Sequence, residues 1–350
     1  MNPPSHLIFV GTYTTGASKG IYSVRLDPAS GSLSEPALAA AASHPTFLAF
    51  SPDKRLLYSI VDSEAWASAF SIEGERLAPL AAPPAAKAVG GCHLAVDRTG
   101  RALVVSNYHT AALAALAVRG DGSLGPPQVI RHNGRGTDPV RQAGPHIHSA
   151  VISPDNGFVL VCDLGLDRIY VYRLDASNAR LSPAQPPYAV SAPRSGPRHS
   201  AFAANGARAY VNHELDNTVT AFDFDPATGG LSPIQTISNL PAGFTGKNIA
   251  AEIALHPGGN FLYVSNRGHD SIAVFSVAAA TGLLSPVEFT PSGGLTPRHF
   301  AISPDGAWLV CANQGSGTLQ AFRIDRATGR LTPAGRPVPV PDPVCVRFYA

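Results

Sequence analysis

The sequence predicts an all-β fold, a seven-bladed β-propeller with four-stranded blades, on three observations. Two turn motifs recur along the chain at a spacing of about fifty residues. The segments between them are short, apolar and rich in Val, Tyr and Phe. No long segment carries the 3.6-residue period of an amphipathic helix.

The first motif has the form Asp-x-x-Thr/Ser-Gly-x-Leu. It stands at Asp27–Leu33, Asp225–Leu231 and Asp325–Leu331, with weaker copies ending at Leu77, Leu124, Leu181 and Leu284. The seven copies are spaced 44, 47, 57, 50, 53 and 47 residues apart. The second motif is Ser-Pro-Asp, at Asp53, Asp155 and Asp305, with looser equivalents at Thr99, Asn205 and Gly258. Runs such as Thr218–Phe222, Phe261–Ser265 and Ser271–Val277 lie between them and read as strands, bounded by Gly, Asn, Asp or Pro. One repeat is therefore strand a, the Ser-Pro-Asp turn, strand b, a hairpin, strand c, the Asp-x-x-Thr-Gly-x-Leu turn, and strand d.

Seven copies of one turn against six of the other are accounted for at the ends of the chain. The sequence opens on a strand b, Leu7–Val10, and closes on an apolar run, Val344–Phe348, that can serve as its missing strand a. The ends would share one blade, leaving no open sheet edge. No composition shift marks a boundary, so residues 1–350 are expected to form a single propeller domain. The longest gap, 57 residues, holds the polar, Gly-rich stretch Arg131–Gln142, which reads as an insertion over one face.

Composition excludes several classes of function. The chain is 45% hydrophobic and 14% charged, with a formal net charge of +2 and no Lys/Arg run, which argues against nucleic acid as a partner. No stretch approaches the ~20 apolar residues of a membrane span. Pro3, Pro4 and Gly11 interrupt any leader-like apolar run at the N-terminus, so a soluble cytoplasmic protein is expected. Cys92, Cys162, Cys311 and Cys345 form no C-x-x-C pair and read as reduced thiols. The oligomeric state is not set by the sequence.

The repeat aligns equivalent positions, and those before strand a and in the b–c hairpin fall at one end of every blade. Seven residues before the Ser-Pro-Asp position stand Thr46, Cys92, His148, Arg198, Ala251 and Arg298. One residue later stand Phe47, His93, Ser149, His199, Glu252 and His299. The hairpin register gives Asp62, Tyr108, Leu164, Glu214, Arg267 and Gln314. Scaffold positions of a repeat should resemble one another, whereas these vary and are rich in ionisable groups, as in a ligand site. His93, His199 and His299 recur in one register, which suits a ring nitrogen bonded to a neighbouring blade's backbone as well as it suits chemistry. His148 follows His146 in a His-x-His, but no third ligand is specified, and no metal or cofactor is assigned. Arg198 and Arg298, both in Pro-Arg-His, point to an anionic ligand. Glu214 is either the partner of Arg198 or an acid–base group. No Gly-x-Ser-x-Gly elbow, phosphate-binding loop, dinucleotide fingerprint or His-Glu-x-x-His is present.

With these phrases in hand, the chain resembles the lactonase family of seven-bladed propellers, which includes bacterial propeller-type 6-phosphogluconolactonases and a fungal 3-carboxy-cis,cis-muconate lactonising enzyme. The matching segments are Val10–Thr14, Pro145–His148, Asp163–Tyr170, Gly196–His199, Asn248–Glu252, Ser265–Ser271 and Pro343–Phe348. The resemblance implies an active-site set of His148, Arg198 and Glu214, joined by Arg267. It implies a cofactor-independent hydrolase of an anionic lactone, with 6-phosphogluconolactone the leading substrate. On that reading His148 or Glu214 activates water, and Arg198, Arg267 and Arg298 hold the anion and the oxyanion, with Glu252, His199 and His299 as further substrate contacts. Two alternatives stay open at this point: a lactonising lyase acting on a carboxy-muconate, and a non-enzymatic propeller that binds a sugar acid or a protein.

Overall fold

A computed structural model describes residues 5–61, 66–80 and 90–349. Asp62 of the hairpin register, and Pro3 and Pro4, lie outside the described residues. The described residues contain no helix and form seven four-stranded sheets, the seven blades predicted. The first sheet orders as Pro343–Tyr349, His6–Thr12, Gly20–Leu26 and Ala37–Ala41. The second is Leu48–Phe50, Leu56–Ser59, Ser68–Glu73 and Arg76–Pro79, and the third Gly91–Val96, Ala102–Asn107, Ala112–Val118 and Leu124–Arg131. The fourth is Ile147–Ile152, Phe158–Asp163, Arg168–Asp175 and Arg180–Val190. The fifth is Pro197–Phe202, Arg208–His213, Thr218–Phe224 and Leu231–Ser238. The sixth is Ile249–Leu255, Phe261–Arg267, Ser271–Val277 and Leu284–Pro291, and the seventh Pro297–Ile302, Trp308–Asn313, Thr318–Ile324 and Leu331–Pro339. The C-terminal strand pairs antiparallel with the N-terminal one, Ile8 opposite Phe348 and Val10 opposite Val346, so the first blade is completed as the sequence requires.

The chain divides into two compact units. One comprises residues 1–48, 73–77 and 237–350, the other 49–72 and 78–236. Within each, apolar faces of successive sheets are buried together. In the first unit Ile8, Val10, Val24 and Val346 pack with Trp308, Val310 and Leu319, and Tyr263, Ile272 and Val274 pack with Leu309, Phe322 and Ile324. In the second, Val104, Leu113 and Ala115 pack with Val159, Val161 and Tyr172, and Phe158, Leu160 and Ile169 pack with Val211 and Phe222. The second strands, such as Ala102–Asn107, Phe158–Asp163 and Trp308–Asn313, are buried on both faces, which is why their sequences are apolar runs and not strict alternations.

The two recurring turns have physical reasons. In Asp27–Leu33 the Asp27 carboxylate accepts from Ala29 N at 2.9 Å and Ser30 Oγ at 2.6 Å, and Asp225 does the same with Ala227 N and Thr228 Oγ1. The glycine that follows has φ of 74° at Gly31, 83° at Gly229 and 73° at Gly329. It also lies flat against an aromatic side chain of the preceding sheet. A Cβ would come within 2.4 Å of Trp308 at Gly31, 2.7 Å of Phe158 at Gly229 and 2.4 Å of Phe261 at Gly329. Backbone conformation and close approach both demand glycine there.

In the Ser-Pro-Asp turn the serine hydroxyl donates to the Asp and accepts the amide five residues on, as at Ser153 with Asp155 and Phe158 N. Asp97 stands in the serine's place and does more. Its buried carboxylate accepts from Thr99 N and Oγ1, Arg101 N, Ala102 N and, from the next sheet's turn, Asn156 Nδ2 at 3.0 Å. Burial pushes the Asp97 carboxyl up, but these donors outweigh it and hold it below the usual range. Asp97→Ala, which leaves five donors without their acceptor, is expected to cost about 3 kcal/mol in urea denaturation, and Asp97→Ser to recover part of it. Equal losses in the two variants would remove the turn from the account.

Candidate active site

A backbone device recurs among the positions singled out before strand a. Four of them are the extra residue of a β-bulge: the register with strand b shifts across Gly91/His93, Ile147/Ser149, Pro197/His199 and Pro297/His299. Cys92, His148, Arg198 and Arg298 are therefore left out of the regular pairing and re-aimed, while the residues that follow resume the ladder.

In the second unit two of these bulge residues, His148 and Arg198, meet at one carboxylate. Glu214 follows the strand Arg208–His213, its amide donating to Gly196 O at 2.7 Å. Its Oε2 accepts from Arg198 Nε at 2.9 Å and lies 3.9 Å from His148 Nε2. Its Oε1 accepts from Arg141 Nη2. His148, Arg198 and Glu214, chosen from the sequence, are thus brought together. Both Glu214 oxygens are engaged by guanidinium groups, so the carboxylate stands as an anchor between cations with the His148 ring beside it.

Around this core, aromatic rings set the position of His148. Tyr108, from the hairpin register, stands edge-on to His148 with centroids 5.5 Å apart and stacks on His146 at 4.3 Å. His146 accordingly serves as a ring support, its amide donating to Asp163 Oδ1 at 2.8 Å. His199 lies edge-on to His148 at 5.1 Å and to His93 at 5.3 Å. His93 Nδ1 accepts Ala150 N of the next sheet at 3.4 Å.

The remaining predicted residues belong to the first unit. Arg298 Nη2 donates to the Tyr13 hydroxyl at 3.2 Å with its guanidinium over the ring, and Arg267 Nη2 donates to Ala250 O at 2.9 Å. His299 Nδ1 accepts Val346 N at 3.2 Å, the inter-blade backbone bond that the recurring histidine suggested, and its Nε2 lies 3.3 Å from Glu252. Among the described residues no group of three His, Cys, Asp or Glu is placed to hold a metal ion, and no disulfide joins the four cysteines. Among the described residues no helix is long and apolar enough to cross a membrane.

Arg141 is the residue that sequence reasoning missed. It lies in the insertion that the repeat spacing marks, but nothing in the spacing singles out one of that loop's arginines. Burial works against its charge and is outweighed by Glu214 and the Tyr108 hydroxyl, so its pKa stands above the usual arginine value.

His213, beside Glu214, is fully buried with Nε2 2.9 Å from Thr220 Oγ1, and burial pulls its imidazole down to about 3. Between that value and the ordinary 6.5 the unfolded chain takes up a proton that the folded one refuses. The contribution is complete above pH 6.5 and lost as pH falls, by about 1.4 kcal/mol per pH unit. His213→Gln is expected to flatten the decline in urea-unfolding free energy between pH 7 and pH 5; the same decline in both proteins would count against it.

The family model described as "Lactonase, 7-bladed beta-propeller" matches residues 7–348. The chain is 38% identical over 352 residues to the 6-phosphogluconolactonase of Bacillus subtilis, covering 97% of each. Its structure superposes on a periplasmic gluconolactonase of Pseudomonas aeruginosa with a TM-score of 0.91 and 35% identity, over 99% of each chain. A Lactobacillus plantarum protein gives a TM-score of 0.91 at 34% identity, again over 99% of each.

Proposed function

Since the chain belongs to the seven-bladed β-propeller lactonases, we propose that it hydrolyses 6-phosphogluconolactone to 6-phosphogluconate. The observation that carries the reading is the buried His148 set 3.9 Å from Glu214, in a chain that matches a phosphogluconolactonase along 97% of its length. His148 takes a proton from water as the water oxygen attacks the lactone carbonyl. The carbonyl oxygen becomes an oxyanion facing the cationic side of the cluster. Collapse of the tetrahedral intermediate breaks the ring C–O bond, and the imidazolium returns its proton to the leaving ring oxygen. Glu214 gives the imidazolium a counter-charge, and Arg198 fixes Glu214. His199 packs against the base. The sequence register supports Arg267, Arg298, Glu252 and His299 as substrate contacts, and the family resemblance adds to the case for Arg267. A phosphorylated substrate, retained inside cells by its charge, favours a cytoplasmic location.

The test is loss of freshly prepared lactone followed against its spontaneous hydrolysis. His148→Ala is expected to lower kcat about 10²–10⁴-fold, the usual worth of a general base. Undiminished turnover in that variant would take the proton transfer away from His148.

A further inference from the structure

The loop from His132 to His146 is fixed more firmly than a connection requires. At its start the buried His132 ring is held at both nitrogens, by Asp163 at 2.6 Å and the Tyr172 hydroxyl at 2.9 Å. At its end Asp163 also takes the His146 amide. Gln142 is fully buried: its Nε2 donates to Leu164 O at 2.9 Å and Asp167 Oδ1 at 2.7 Å, and its Oε1 accepts from Thr137 N and Asp138 N. Asp138 Oδ1 accepts the amides of Val140 and Arg141 at 2.9 Å, and its Oδ2 accepts from Arg194 at 3.0 Å. Arg141 thus sits between an amide capped by Asp138 and a neighbour buried beneath the loop. Ordering a long polar loop in this way is what a site needs when one side chain must be held in place.

The two guanidinium groups on Glu214 differ in access. The Arg198 side chain is 3% exposed, and that of Arg141 is 38% exposed. A guanidinium carries five N–H donors, of which Arg141 commits part to Glu214 and Tyr108, so its open side can take a second anion. Two arginines against one carboxylate also leave the cluster one positive charge in excess.

On the hydrolase reading above, we infer that Arg141 determines specificity, binding the phosphomonoester of a phosphorylated sugar lactone while Glu214 holds it ready when no substrate is present.

Wild type, Arg141→Gln and Arg141→Lys are compared as full chains on 6-phosphogluconolactone and on unphosphorylated glucono-1,5-lactone, with thermal unfolding to establish that each is folded. Arg141→Gln is expected to lose about 10-fold or more in kcat/KM on the phosphorylated lactone, chiefly through KM, and markedly less on the other; Arg141→Lys restores part. Equal losses on both lactones, or a loss confined to kcat, would mean that Arg141 acts only through Glu214 and would overturn the inference. So would no change. If Arg141→Gln does not fold, Arg141→Lys is read by the same comparison. A wild type confined to the phosphorylated lactone is judged by the division between KM and kcat. A wild type that hydrolyses neither overturns the hydrolase reading and this inference with it.

Discussion

The structure depends on the burial of successive four-stranded sheets against one another within each unit. A single sheet of this size has two apolar faces and cannot cover either one itself. Trp308, Phe158 and Phe261 stand where the second strand of a sheet begins, and each receives the flat backbone of a glycine turn from the following sheet. The contact fixes the spacing of neighbouring sheets at one end, and the Asp97–Asn156 bond between adjacent Ser-Pro-Asp-type turns joins two of them by hydrogen bonding. Those demands keep the turns alike from copy to copy and make the repeat visible in the sequence.

At the opposite end of the strands the demand is reversed. The ladder must start, yet the first residues are free to differ, because a bulge takes one residue of each out of the pairing. The scaffold therefore tolerates Cys92, His148, Arg198 or Arg298 at one backbone position. The next residue along shows the contrasting case. His93 and His299 spend a ring nitrogen on the backbone of the following sheet, and their recurrence reflects that shared duty. Variation beside recurrence in adjacent registers separates the positions that a bulge frees from those whose rings are tied to a neighbouring sheet's backbone.

Much of this was legible beforehand. Seven blades, the strand order and the completion of the first blade by Pro343–Tyr349 follow from motif counts, because turn chemistry is local and its residues are specific. The meeting of His148, Arg198 and Glu214 followed from register, since equivalent positions in a repeat share an end. Two things were not legible. One is the bulge, which depends on how two strands pair and leaves no residue signature of its own. The other is Arg141: the spacing marks its loop, but its aim is set by buried bonds of His132, Gln142 and Asp138 to partners tens of residues away.

The pairing of Ile8 and Val10 with Phe348 and Val346 has a consequence for how the protein is made. During synthesis the strand His6–Thr12 has one partner, Gly20–Leu26, within moments, but its other partner, Pro343–Tyr349, only after more than three hundred further residues. Until then one edge of an apolar strand stays open to any passing chain. The other blades can each complete themselves from contiguous sequence. This one must wait, and its closure is a slow, long-range step, the stage at which a nascent chain is most exposed to mispairing and most in need of a chaperone.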